Sequence, residues 1–141
     1  MPDPAPPMKI HHLGVAVPDV AAAIEVYESL MGHRLLSGPF DDPIQKVRVC
    51  FMGHGGQDVA IELISPIAED APVHQYLKRG LGAYHVCYEV SDMQWTLSNL
   101  RTKGCLVISG PVPAVAFSGR NIAWLLTPTR QVIELVESER A

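Results

Sequence analysis

Short runs of alternating hydrophobic and polar or small residues follow one another along the chain, and their order in the first half predicts β-α-β-β-β. Asp19 is placed to cap the helix and Gly32 to end it. A loop holding Pro39 and Pro43 is expected after the second strand. The predicted elements are the strand Ile10–Val17, the helix Val20–Met31, and the strands Arg34–Ser37, Gln45–Met52 and Asp58–Ile64.

The second half repeats this order. Its helix is expected to begin at the capping box Ser91-Asp92-Met93-Gln94 and to end at Gly104. A loop at Pro111 and Pro113 and a turn over Thr127–Arg130 separate its last strands. The predicted strands are Ala83–Val90, Leu106–Ser109, Asn121–Leu126 and Gln131–Val136, and the connector carries a short helix near Val73–Arg79.

These elements predict one α+β domain over residues 9–141, built from two tandem βαβββ modules. Module one spans 9–65, the connector 66–80 and module two 81–137, after a disordered lead-in over 1–8. Each module exposes a sheet face that needs covering, so neither is expected to fold alone.

The repeat also places four metal-capable side chains. His12 and His85 are 73 residues apart on the first strands, and Glu62 and Glu134 are 72 apart on the last strands. Because strand side chains alternate, His12 shares a face with Gly14 and Ala16, while Leu13, with its odd-numbered neighbours, faces the helix. A carboxylate directed at the middle of a sheet face needs a partner. One divalent cation bound by all four residues would supply it, and the nitrogen and oxygen donors suit Co, Zn, Ni, Mn or Fe(II).

Composition and charge narrow the function classes. The chain is 48% hydrophobic, yet no apolar run approaches the ~18 residues of a membrane span. Met1–Pro7 has no secretory-signal features, and the three cysteines lack CxxC spacing, so a cytoplasmic protein with reduced thiols is expected. The net charge of −4, with scattered basic residues, indicates no nucleic-acid binding.

Together these residues resemble the vicinal oxygen chelate superfamily, and within it the methylmalonyl-CoA epimerases. The resemblance covers nearly the whole chain from Ile10 to Glu137. The matching motifs are His12-Leu13-Gly14-Val15-Ala16-Val17, Ile24-x-x-Tyr27-x-x-Leu30-x-Gly32, Gln45-x-Val47-Arg48-Val49-x-Phe51, Ile61-Glu62-Leu63, Glu69-Asp70-Ala71-Pro72-Val73, Gly82-Ala83-Tyr84-His85 with the strand after it, and Val132-Ile133-Glu134-Leu135. The segment Ala114–Asn121 and the turn before the last strand depart from the epimerase pattern and leave the acyl group open.

The resemblance implies a cupped mixed sheet around the metal, with His12, Glu62, His85 and Glu134 as ligands. It implies an isomerase that removes the proton α to a thioester, with an acyl-CoA as substrate and a homodimer as the assembly. Glu134 is expected to act as one base, and Glu62 as ligand and second base. Five other residues are candidates for contacting a substrate carboxylate or phosphate: Gln45, Arg48, Ser118, Arg120 and Asn121.

Three other functions stay open. A glyoxalase I-type lyase would use the same four ligands on a glutathione hemithioacetal. A dioxygenase-like enzyme would need only His12, His85 and Glu134. A metal-free drug-binding protein of the same fold usually lacks the ligands, all four of which are present here. The remaining histidines have no counterpart in the repeat and are expected on the surface or in loops: His11, His33, His54 and His74.

Overall fold

In a computed structural model, the protein is described over residues 7–56, 59–80 and 82–139. The first module forms the predicted order of a strand, a helix and three strands. These elements are β1 (Lys9–Ala16), α1 (Val20–Met31), β2 (Arg34–Asp42), β3 (Val47–Gly53) and β4 (Ala60–Pro66). Asp58, where the last of these strands was expected to begin, and most of the predicted lead-in lie outside the described residues.

The second module repeats the order, after a connector that carries α2 (His74–Lys78). Its elements are β5 (Ala83–Val90), α3 (Met93–Thr102), β6 (Leu106–Pro113), a 3-10 turn (Val115–Phe117), β7 (Asn121–Leu126) and β8 (Val132–Glu137). The bounds of β5 and β7 are those that the alternation predicts. The α+β prediction with two βαβββ modules is confirmed.

All eight strands belong to one mixed sheet in the order β2-β3-β4-β1-β5-β8-β7-β6, curled into a half-barrel cup. The first strands of the modules, β1 and β5, pair antiparallel at its centre. Each also pairs in parallel with the last strand of its own module, β4 or β8. The four strands that carry the candidate ligands are therefore consecutive in the sheet.

Helices α1 and α3 cover the outer face of the sheet. Helix α1 packs on β3 and β4 through a cluster that includes Val20, Met52 and Leu63. Helix α3 packs on β7 and β8 through Leu97 and its neighbours. No helix among the described residues is long and apolar enough to cross a membrane.

Prolines lie inside strands that were expected to end before them. Strand β2 continues through Pro39, and β6 continues through Pro111 and Pro113. Both strands are edges of the sheet, where a residue without an N–H leaves no ladder partner unsatisfied. Each pairing also shifts register near its proline. The predicted loops at Pro39 and at Pro111 were therefore wrong.

Two local predictions also differ from the structure. The N-cap of α3 is Asp92, whose carboxylate accepts the N–H of Trp95 at 2.9 Å, so the predicted capping box at Ser91 does not form. Leu13, expected to pack under a helix, is 38% exposed, because α1 covers β3 and β4 and leaves part of the central strand open.

Candidate metal centre

The four candidate ligands come from the four central strands, one from each. Gly14 of β1 pairs with Glu62 of β4 on one side and with His85 of β5 on the other. Two ligands therefore flank a residue that has no side chain.

That first row of paired residues crosses β4, β1 and β5, and a second row crosses β1, β5 and β8. Cys87 of β5 pairs with His12 of β1 on one side and with Glu134 of β8 on the other. Cys87 is fully buried between the two ligands, and it is the repeat counterpart of Gly14. The repeat thus builds each row from one His, one small residue and one Glu.

The four side chains converge on one point. Nε2 of His12 lies 3.2 Å from Nε2 of His85, 3.2 Å from Oε1 of Glu62 and 3.1 Å from Oε1 of Glu134. Nε2 of His85 lies 3.2 Å from Oε1 of Glu134 and 3.7 Å from Oε1 of Glu62. All four residues are buried, and their ligand atoms lie within 4.8 Å of one another.

This geometry fits a divalent cation. Nitrogen and oxygen atoms about 2.0–2.2 Å from one ion are separated by about 2.8 to 3.6 Å at octahedral to tetrahedral angles. Oε1 of Glu134 is buried and has no hydrogen-bond partner within the described part of the chain, although two imidazole nitrogens are close to it. This oxygen is therefore available to a cation held among the four ligand atoms.

The pKa values of Glu134 and His12 are strongly shifted by burial and by the neighbouring ligands. Burial raises the pKa of Glu134, but the rings of His12 and His85 outweigh it and lower that pKa to about 2. Burial likewise lowers the pKa of His12, while Glu62 and then Glu134 raise it to about 10. Without a cation, a proton on His12 partly balances the two buried carboxylates, and a bound cation would replace it.

Aromatic rings enclose His12. The ring of Phe117, from the 3-10 turn, stacks on it at 5.9 Å between centroids, and Phe51 of β3 meets it edge-on at 5.4 Å. His85 is held between Tyr84 at 4.5 Å and Trp124 at 4.7 Å. These contacts pack both imidazoles, whose Nε2 atoms face each other.

A cavity of about 290 Å³ opens beside the centre, and Glu62 and Glu134 line it. Most of the remaining wall is apolar, including Val47, Val49, Ile64, Ile122, Trp124 and Val132. The polar groups are few, and they include Asp42 and Gln45. A small set of polar groups in an apolar wall is typical of a site for a small ligand.

Of the five candidate substrate contacts, the structure brings only Gln45 to this cavity. Arg48 pairs with Asp41 on the exposed side of the sheet edge, at 2.7 and 3.0 Å. Ser118 is exposed and ends the 3-10 turn. Arg120 donates to the carbonyl oxygens of Phe117 and Glu137, and the backbone N–H of Asn121 donates to the Glu137 carboxylate.

Sequence reasoning missed several residues around the site. His11 was expected on the surface, yet it is half-buried beside His12, and its Nδ1 lies 2.9 Å from Nδ1 of His12. Burial lowers the pKa of His11, with the charge on His12 acting in the same direction. Asp42 was not singled out, although it is buried on the cavity wall and accepts the N–H groups of Ile44 and Gln45. The Asp-Pro step after β2 is the only sequence signal that marks it.

Comparisons with known proteins agree with this architecture. The chain is 29% identical to the ethylmalonyl-CoA/methylmalonyl-CoA epimerase of Cereibacter sphaeroides over 83% of this chain and 87% of that protein. The crystal structure of methylmalonyl-CoA epimerase from Mycobacterium tuberculosis superposes with a TM-score of 0.80 and 26% identity, over 94% of this chain and 89% of that one.

A variant of the Streptomyces coelicolor methylmalonyl-CoA epimerase, in complex with 2-nitronate-propionyl-CoA, superposes with a TM-score of 0.78 and 25% identity, over 93% of this chain and 94% of that one. At the level of the family, one profile matches residues 11–124 of this sequence. The protein belongs to the Glyoxalase/Bleomycin resistance protein/Dioxygenase superfamily.

Proposed function

We propose that this protein is a metal-dependent epimerase that acts at the α-carbon of a 2-substituted malonyl-CoA thioester, as its methylmalonyl-CoA epimerase relatives are named for doing. The observation that carries the proposal is the buried set of two imidazoles and two carboxylates beside an apolar cavity. His12, Glu62, His85 and Glu134 would hold the cation. The donor set suits Co, Zn, Ni, Mn or Fe(II).

A bound divalent cation would stabilise the negative charge that develops on the thioester and carboxylate oxygens of such a substrate. Epimerisation also needs a proton acceptor on one side of the α-carbon and a proton donor on the other. In this proposal a carboxylate oxygen of Glu134 takes the α-proton, and the electrons of the C–H bond enter the enolate. Glu62, which comes from the opposite module and starts this direction of the reaction as the protonated acid, returns its proton to the other side of the carbon. In the reverse direction the two groups exchange these roles.

The cavity wall supports this chemistry. Its apolar residues would exclude water from the enolate and lower the local dielectric constant, which strengthens interactions with the developing charge. Gln45 lines the wall, and in this proposal its side-chain amide donates to a substrate oxygen. The metal-ligand set also favours isomerisation over oxygen activation, because Glu62 would occupy a position that a dioxygenase leaves open.

The proposal includes a homodimer, which exposed apolar residues at the centre of the sheet support. Ile10 and Leu13 on β1 are 43% and 38% exposed in the single chain. Burying them against a second copy would remove apolar surface from water. This supports a homodimer, which gel filtration with light scattering tests directly. The cytoplasmic location stays a prediction.

The function is tested by deuterium wash-in at the α-carbon of methylmalonyl-CoA, with the Co(II)-loaded protein and mass-spectrometric detection. Fast exchange is expected for the unaltered protein and a loss of at least about 100-fold for Glu134→Gln. Glu25→Gln, on the exposed face of α1, is the matched control and should exchange normally. A Co(II)-loaded protein that exchanges no deuterium would contradict the proposal.

A further inference from the structure

A β-bulge precedes the first ligand histidine. On the β1–β5 ladder, Ile10 pairs with Tyr88 and His12 with the adjacent Cys87, so His11 is an extra residue with no pairing partner on β5. A bulge re-aims the side chain of its extra residue. The ring of His11 accordingly meets Phe117 edge-on at 5.2 Å, on the side of the sheet where His12 lies.

The bulge brings two imidazole nitrogens together. Nδ1 of His11 lies 2.9 Å from Nδ1 of His12, with the rings nearly perpendicular at 84°. At this separation one nitrogen must carry a hydrogen and the other a lone pair. His12 binds a cation only through an Nε2 lone pair, so the hydrogen of a metal-bound, neutral His12 is on Nδ1. Nδ1 of His11 is therefore the acceptor.

We propose that His11 is a positioning residue of the metal centre: it accepts the Nδ1–H of His12 and thereby fixes both the tautomer and the ring orientation that direct Nε2 of His12 at the cation. An outer partner of this kind makes the ligating nitrogen more basic and typically changes metal affinity 10- to 100-fold. The inference rests on the metal site of the proposed function, but not on the reaction or its substrate.

The second module provides an internal contrast. Its ladder has a corresponding irregularity, where Gly14 pairs with His85 and Val15 with Ala83, which leaves Tyr84 as the extra residue. Tyr84 contacts the His85 ring, but Nδ1 of His85 has no hydrogen-bond partner among the residues described. The two ligand histidines therefore differ: His12 has an acceptor on its second nitrogen and His85 has none.

The test compares three variants by Co(II) affinity, measured in competition with a chromophoric chelator. His11→Phe keeps an aromatic ring between its neighbours but removes the acceptor, and it should weaken Co(II) binding by about 10- to 100-fold. His11→Asn places a carbonyl oxygen where Nδ1 stood, and it should restore affinity to within a few-fold. His33→Phe replaces another half-buried histidine, which packs on Tyr27 away from the site, and it should bind like the unaltered protein.

A spectroscopic measurement separates positioning from general damage to the fold. In the Co(II) protein, the Nδ1–H protons of the ligand histidines give paramagnetically shifted NMR signals that exchange with solvent. The His12 signal should exchange slowly in the unaltered protein and in His11→Asn, and fast in His11→Phe, while the His85 signal stays the same. Unchanged affinity and unchanged exchange in His11→Phe would overturn the inference. Absence of deuterium wash-in, with these results intact, would overturn only the proposed reaction.

Discussion

Replacing Gly14 by alanine should disrupt the metal centre through a single added methyl group. A Cβ built on Gly14 would lie 2.6 Å from Nε2 of His85 and closer still to its Cε1 and Nδ1 atoms, whereas ordinary contacts begin near 3.4 Å. The ligand nitrogen would have to move by about 0.8 Å or more, against a tolerance of about 0.2 Å in a metal–ligand bond. Backbone movement cannot absorb this cheaply, because β1 is hydrogen-bonded on both sides.

Two measurements follow from this clash. Co(II) affinity of Gly14→Ala, from chelator competition, should fall by more than about 100-fold, since a ligand is lost rather than an outer partner. The free energy of unfolding of the metal-free protein, from urea denaturation, should fall by about 1–3 kcal/mol, as expected for overpacking. Gly82→Ala is the matched control, because its Cβ would meet nothing closer than Val15 at 3.9 Å.

A double mutant identifies the cause. In a His85→Ala background the ring is gone, so Gly14→Ala should no longer lower the free energy of unfolding. It should raise it by a fraction of a kcal/mol, since alanine is commonly favoured over glycine inside a strand. If Gly14→Ala is equally destabilising in both backgrounds, or if the single variant keeps normal Co(II) affinity, the steric reasoning is refuted.

Three further outcomes are expected. Co(II) at about 1,000 times its dissociation constant should raise the free energy of unfolding by about 4 kcal/mol, and a chelator should reverse this increase. An unchanged melting curve would contradict a metal site in the native state. Gly110→Ala should lower the free energy of unfolding, measured by urea denaturation, by about 2 kcal/mol or more. Gly110 has a φ of +90°, and an added Cβ would lie 2.6 Å from the carbonyl oxygen of Ile122. An unchanged free energy of unfolding would contradict this reasoning and show that β6 adapts. Alkylation at pH 8 should modify Cys105 before Cys50 and Cys87, because the latter two are buried. Burial also raises the pKa of Cys50 to about 11 and that of Cys87 further. Mass spectrometry of the peptides would reveal any other order.

Features that depend on neighbouring residues in the chain were predictable from the sequence, and features that depend on the pairing of distant strands were not. The alternation of apolar residues predicted β5 and β7 with their observed bounds, because side chains in a strand alternate whatever lies beside it. Pro39 and Pro111 were misread because a proline interrupts a strand only where its neighbour needs an N–H. Whether a strand is an edge depends on the order of the sheet.

The candidate site shows the same division more sharply. The repeat by itself determined two pairs of equivalent residues, the two histidines and the two glutamates. The alternation of side chains determined that His12 and Glu62 face away from the helix. Both are properties of the sequence alone. Only the tertiary structure decided that β1 and β5 are neighbours, which brings the two histidines within 3.2 Å of each other. It also decided that a bulge turns His11 toward His12, because a bulge arises from the pairing of two distant strands and leaves no periodic signal in either.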